Sequence, residues 1–292
     1  MNLITRLLFC ALLALPVMAS HAGGHLVLVG GGDKPLAAMQ KFVELAGGKS
    51  APIVVVPTAS EAEDTAEYYT KLFLDEHGVS DVVVLPIKTR EDADRPDLVA
   101  ATKRARGVFF SGGDQTRILK ALAGSAVLGA MRDVFARGGV IGGTSAGTAC
   151  QSEKMITGEG NFKVIEAGSV ELWEGLGFLP DHVVVDQHFI ARQRQNRLIS
   201  VILAHPEHLG VGVDEDTAIW VRPDQTFEVI GASSVMIFDA RGATTRGVSQ
   251  EGARALLGIH GMRMHILLPG ESFDLKGRTP LPLARTATGG AQ

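Results

Sequence analysis

Through the first two thirds of the chain, short apolar runs rich in β-branched residues alternate with stretches of helical periodicity. The runs at 26–29, 53–56, 82–85, 108–110, 140–141 and 183–185 are apolar on both faces. Strands of that kind belong to a parallel sheet covered by helices on both sides. Helical candidates at 36–45, 62–77, 116–122, 128–137 and 192–203 supply the covering layers. The β-α-β-α order predicts an α/β fold with an open, doubly wound, mostly parallel sheet. After Leu209 the rhythm changes to closely spaced runs at 209–213, 218–221, 226–230, 235–238 and 264–268, separated by Asp, Gly and Pro turns. These predict antiparallel strands added to the same sheet. No Pro- or Ser-rich linker and no repeat interrupts the chain, so residues 23–279 are expected to form a single domain, with 280–292 a flexible tail.

Residues 1–22 stand apart. Arg6 precedes an apolar run at 7–15, and small residues follow up to Ala22, the form of a secretory signal peptide cleaved after Ala19 or Ala22. The apolar run is too short to remain as a membrane anchor, so the protein is expected to be secreted, to the periplasm or outside the cell. Cys10 follows Phe9 rather than a small residue, which argues against lipidation, and it would leave with the signal. Cys150 would then be the one cysteine left, so stability must come from a large core rather than an internal disulfide. A net charge of -4 offers no basic field for nucleic acid or an anionic membrane surface.

In open α/β sheets ligands meet the carboxyl ends of the strands, and three of the loops there are rich in glycine. The first, Gly30-Gly31-Gly32-Asp33, invites a dinucleotide reading, but Pro35 replaces the third fingerprint glycine and the next strand ends in Val56-Pro57 without a ribose-binding acid. It reads instead as a tight turn beneath a site, and no cofactor is called for. In the second, Ser111-Gly112-Gly113-Asp114-Gln115, the side chain of Asp114 either caps a helix or binds a ligand. The third, Gly143-Thr144-Ser145-Ala146-Gly147, has the strand-to-helix form that lifts a nucleophile above a sheet, with helix N-H donors beside the oxyanion. The other reading of Ser145 is a helix cap.

A serine nucleophile needs a base, and His188 arrives at the same sheet edge beside Asp186 and Gln187. Arg192, Arg194 and Arg197 follow, at the head of a helix whose macrodipole they oppose. A site for substrate carboxylates explains them, with surface ion pairs as the plainer alternative.

Together, Gly112-Gly113-Asp114-Gln115, Gly143-Thr144-Ser145-Ala146-Gly147 and Asp186-Gln187-His188-Phe189 with the three arginines resemble the cyanophycinase family, in the serine peptidase group that also holds aspartyl dipeptidases. The resemblance runs over about residues 26–221 and implies a fold like class I glutamine amidotransferases and a cofactor-free serine exopeptidase, commonly a homodimer. Its substrate would be cyanophycin, multi-arginyl-polyaspartate, cut to β-aspartyl-arginine. Carried over by position, Ser145 is the nucleophile, His188 the base, and Gln115, Asp186, Gln187, Arg192, Arg194 and Arg197 line the substrate pocket; Gly113 and Ala146 are expected as the oxyanion donors and Asp114 as a further substrate-binding residue. The triad acid is expected in the loop after the nucleophile helix, Glu159 first and Glu166 second. The acids of Asp214-Glu215-Asp216 could serve a substrate guanidinium. An aspartyl or isoaspartyl dipeptidase of the same group is the alternative enzyme. An exported solute- or metal-binding protein would rest on Asp181-His182, Asp186-x-His188 and His205-Pro206-Glu207-His208, spacings that lack a regular ligand set.

Overall fold

The computed structural model describes residues 23–160, 163–250 and 253–282. The signal segment expected at 1–22 lies outside them. The first half of the chain forms β1 (His25–Val29), α1 (Leu36–Ala46), β2 (Ile53–Val56), α2 (Thr65–Lys71) continued by a π-helical turn (Leu72–Glu76), β3 (Val82–Val84), α3 (Pro96–Arg104), β4 (Gly107–Phe110), α4 (Gln115–Leu122), α5 (Ala126–Ala136), β5 (Val140–Thr144) and the short α6 (Ala146–Ala149). The five strands pair in parallel in the order β1-β5-β4-β2-β3. Side-chain alternation sorts them into two apolar layers. Val27, Val29, Val55 and Phe109 pack with Met39, Phe42 and Phe73 on one face. Leu28, Val54, Val56 and Ile141 pack with Ile118, Leu122 and Met131 on the other. Both faces are therefore buried, which is why polar residues in these strands stand only at the ends, His25 in β1 and Thr144 in β5. Because β5 lies between β1 and β4, the three glycine-rich loops emerge side by side, with Ser145 in the middle.

The second half adds β6 (Lys154–Gly160) and β7 (Val170–Glu174), paired as a ribbon, then β8 (Val183–Asp186), α7 (Gln195–Ala204), β9 (Leu209–Val213), β10 (Thr217–Val221), β11 (Thr226–Gly231), β12 (Val235–Asp239), the ribbon β13 (Thr244–Gln250) and β14 (Ala253–His260), β15 (Arg263–Leu267), β16 (Ser272–Asp274) and β17 (Thr279–Pro280). The expectation of one continuous sheet needs correction. Strands β10, β11, β16 and β17 extend the main sheet antiparallel beyond β1, whereas β8, β9, β12 and β15 form a second, four-stranded sheet in which β8 runs parallel to β9. The chain crosses between sheets at Asp214-Glu215-Asp216, where Asp216 takes a left-handed φ of 55° and donates its N-H to Gly31 O. One face of the second sheet, with Val183, Val185 and Val211, shares the larger core, and α7 covers the other through Leu198 and Ile202. Helix α7 starts at Gln195 rather than at Arg192, because Gln193 has a φ of 53° that no helix accepts. The expected tail is held at its start, since Pro280 pairs with Phe273 and Leu281 N-H donates to Ser272 O.

Candidate active site

Ser145 sits between β5 and α6 with φ 54° and ψ -113°, a conformation costly for a non-glycine residue and kept only where its surroundings determine it. The flanking glycines make the turn possible. A Cβ on Gly143 would lie 2.3 Å from Gly147 O, and one on Gly147 would lie 2.5 Å from Phe110 O. Ser145 N-H donates to Val29 O, tying the turn to the neighbouring strand. The hydroxyl makes no helix-cap bond; it lies 2.8 Å from His188 Nε2 and 3.4 Å from Gln187 Oε1.

His188 follows β8 at φ 49°, its N-H donating to Gly30 O at 2.6 Å. The first glycine-rich loop is thus the seat of the imidazole, since a Cβ on Gly31 would lie 2.1 Å from His188 Cε1. His188 Nδ1 is hydrogen-bonded to Glu215 Oε1. Burial is the main force lowering the imidazole pKa below its usual 6.5, the charges of Arg192 and Arg194 add to it, and Glu215 opposes. The ring is therefore neutral near pH 7, the state that can accept a proton from Ser145.

The partner of His188 corrects the expected acid. Glu215 holds the position expected for Glu159, because β9 runs parallel to β8 and both deliver their carboxyl ends to the same edge. Glu159 lies on β6, and its side chain is outside the described residues. Glu166, the second choice, has its backbone N-H on Ser200 Oγ and bridges Leu256. Of the other acids assigned to a guanidinium, Asp214 accepts the N-H groups of Ile190 and Ala191 and the hydroxyl of Ser233, and Asp216 accepts from Asp33 N-H. Both hold the turns around His188 and Gly32.

The proposed substrate-lining set also divides. Arg197 is 0% exposed and Asp186 1%, and the two form a bidentate pair, Nε to Oδ2 at 2.7 Å and Nη2 to Oδ1 at 2.5 Å. Neither can meet a substrate directly; this is a correction, since both were expected to line the pocket. Their pairing, with Arg197 Nη1 donating to Gly158 O, braces β8 against α7 and β6. Arg194 is buried, its pKa pushed down to about 10 chiefly by burial and then by Arg197. It donates to Gln187 O at 2.7 Å, holding the Gln187 carbonyl beside His188. Gln115 is buried with Nε2 on Ile156 O, so it too supports rather than lines. Asp114 caps α4, accepting from Thr116 N-H and its hydroxyl. Arg192 alone of the three arginines is open to solvent, 54% exposed, with Nε 3.7 Å from Glu215 Oε1.

In the loop between β4 and α4, Ser111 N-H donates to Val56 O and Asp114 N-H to Ala59 O. Tyr69 also lines the cleft beside this loop, and burial pushes its phenol pKa up. Gly112 approaches the nucleophile closely, its would-be Cβ lying 3.4 Å from Ser145 Cβ. The Gly113 N-H has no partner among the described residues, and Ala146 N-H is the first of α6, with no helical carbonyl to pair with. Ser145 and His188 open into a cleft of about 400 Å³ whose other polar walls include Lys34, Ser60, Asp64 and Tyr68, none of which the sequence pattern singled out. The metal reading fares differently. His205, Glu207 and His208 bring ligand atoms within 4.8 Å of one another, but on the surface past the far end of α7 and outside the cleft, while Asp186 and His188 are committed elsewhere.

The chain is similar to several known proteins. Residues 26–229 match the model of Peptidase family S51. The chain is 38% identical over 263 residues to the cyanophycinase of Synechococcus elongatus, covering 88% of this chain and 81% of that one. It is 33% identical to the cyanophycinase of Geminocystis herdmanii, over 90% of this chain and 98% of that one. Among solved structures, a peptidase from an acI-B1 Actinobacterium superposes with a TM-score of 0.65 at 26% identity, covering 87% of this chain and 98% of the other. A putative peptidase E protein from Listeria monocytogenes shares the fold at a TM-score of 0.53 and 17% identity, over 73% of this chain and all of the other. The chain belongs to peptidase family S51 and is a serine-type peptidase.

Proposed function

We propose that the protein is an exported serine exopeptidase that hydrolyses cyanophycin to β-aspartyl-arginine through a triad of Ser145, His188 and Glu215. The observation that carries this reading is the unbroken hydrogen-bonded series from the Ser145 hydroxyl through both ring nitrogens of His188 to the Glu215 carboxylate, opening into the cleft. In the reaction, Ser145 Oγ attacks the scissile carbonyl carbon while His188 Nε2 takes its proton. Glu215 holds the Nδ1-H and stabilises the imidazolium that forms. The Gly113 and Ala146 N-H groups donate to the developing oxyanion. His188 then returns the proton to the departing amine, and water, activated by the same imidazole, releases the acyl product. The substrate assignment draws on the cyanophycinases to which the chain is similar, and export on the form of residues 1–22.

An aspartyl dipeptidase would prefer short substrates. The test is therefore to compare kcat/KM on purified cyanophycin with that on α- and β-aspartyl dipeptides and to identify the products. Release of β-aspartyl-arginine from the polymer is expected. Turnover confined to dipeptides would move the assignment to the other branch of the group.

A further inference from the structure

Among the described residues that line the cleft there is no arginine, and Lys34 is the one lysine. Lys34 follows the Gly30–Gly32 loop, is half-buried, and has no acidic partner among the described residues. Its ammonium donates to Tyr68 OH at 3.0 Å and stands 4.8 Å and 5.6 Å from the ring centres of Tyr68 and Tyr69. The two rings, set edge to face, pre-order the lysine head at the cleft wall. An ammonium has three donors, and this one has spent one of them on a neutral hydroxyl. A second observation points to a ligand in the same place. Ser111 lines the same cleft, is 1% exposed, and its Oγ has no hydrogen-bond partner among the described residues. A buried hydroxyl left unmade is costly unless something bound there completes it. At the rim, Asp64 supplies the opposite charge.

We infer that Lys34, with Ser111 in the same cleft, is the subsite for a substrate carboxylate, and that Asp64 favours substrates bearing a cationic group near that carboxylate. This rests on the peptidase reading of Ser145 and adds the chemistry of what lies beside the scissile bond. In a β-aspartyl-arginine chain the carboxylate has two sources, the arginine and the end of the backbone, and the test separates them.

The Ser145→Ala protein would be titrated calorimetrically with a short β-aspartyl-arginine oligomer in three forms: free acid, backbone amide and arginine amides. The amide that loses affinity identifies which carboxylate is held. Adding Lys34→Met should weaken the free acid by about ten-fold or more and leave that amide unchanged, while Lys34→Arg should retain the preference. Equal affinity for all three forms, or a Lys34→Met protein that still prefers the acid, overturns the inference. If the native protein releases nothing from cyanophycin yet the preference follows Lys34, the substrate assignment fails and the carboxylate subsite stands.

Discussion

Replacing Glu215 by glutamine tests the least expected member of the site. In the native protein the carboxylate accepts from His188 Nδ1-H, which leaves the Nε2 lone pair facing the Ser145 hydroxyl 2.8 Å away. An amide in the same place can donate to Nδ1 through its NH₂ group. That favours the tautomer with the proton on Nε2, which then donates to Ser145 instead of accepting from it. The imidazolium formed during attack also loses its counter-charge. Where a triad acid is neutralised with its geometry intact, the loss is about 10⁴-fold in kcat, close to 5 kcal/mol of transition-state stabilisation. Stability should change by about 1 kcal/mol at most, because Glu215 is a third exposed and a glutamine can keep a hydrogen bond to the neutral His188 ring. The assay is kcat on cyanophycin beside urea unfolding, with Glu166→Gln and Glu159→Gln as parallel variants. A Glu215→Gln protein within about ten-fold of native, next to a collapse in one of the others, would refute the assignment of Glu215.

Three further outcomes follow from the geometry. Arg197→Met should cost about 3–5 kcal/mol in denaturant unfolding, because it strands the 1%-exposed Asp186 carboxylate without its bidentate partner; a loss below about 1 kcal/mol would mean the pair is not a brace. Gly31→Ala places a methyl 2.1 Å from the His188 ring at a φ of +115°, so kcat should fall by about ten-fold or more with the main sheet intact by circular dichroism. In the kcat/KM pH profile, activity needs neutral His188, whose pKa lies below 6.5 through burial and then the nearby arginines, so the acid limb should have its midpoint below pH 6.5, with activity lost only as pH falls through that lowered value; a midpoint above pH 6.5 would show that burial does not set it.

Much of the site is legible in the sequence, for local reasons. The parallel strands announce themselves because burial on both faces removes polar residues from their interiors. Ser145 announces itself because the turn that lifts it cannot accommodate a Cβ at Gly143 or Gly147. His188 is visible as a polar interruption at the end of an apolar strand. Glu215 is not, because its relevance depends on β9 lying parallel to β8 in a second sheet, a pairing between residues 27 apart that periodicity does not carry. The available signal is the pair of apolar strands themselves, one followed by Asp186-Gln187-His188 and the other by Asp214-Glu215-Asp216, which meet at one edge once paired in parallel. The arginines mislead in the opposite direction. Charge opposing a helix dipole correctly marks an unusual environment, yet for Arg197 the partner is the buried Asp186 rather than a substrate. Lys34 leaves no trace in the pattern, since a single lysine after a turn looks the same whether it is solvated or set over two tyrosines.

The central claim is that Ser145 is the nucleophile that cuts cyanophycin, and the most direct test measures β-aspartyl-arginine release by mass spectrometry from cyanophycin incubated with native protein and with folded Ser145→Ala. The native protein should release the dipeptide, and the variant should be slower by about 10⁴-fold or more, since no neighbouring group can replace a triad nucleophile. A folded Ser145→Ala protein that releases the dipeptide within about ten-fold of the native rate would contradict the account.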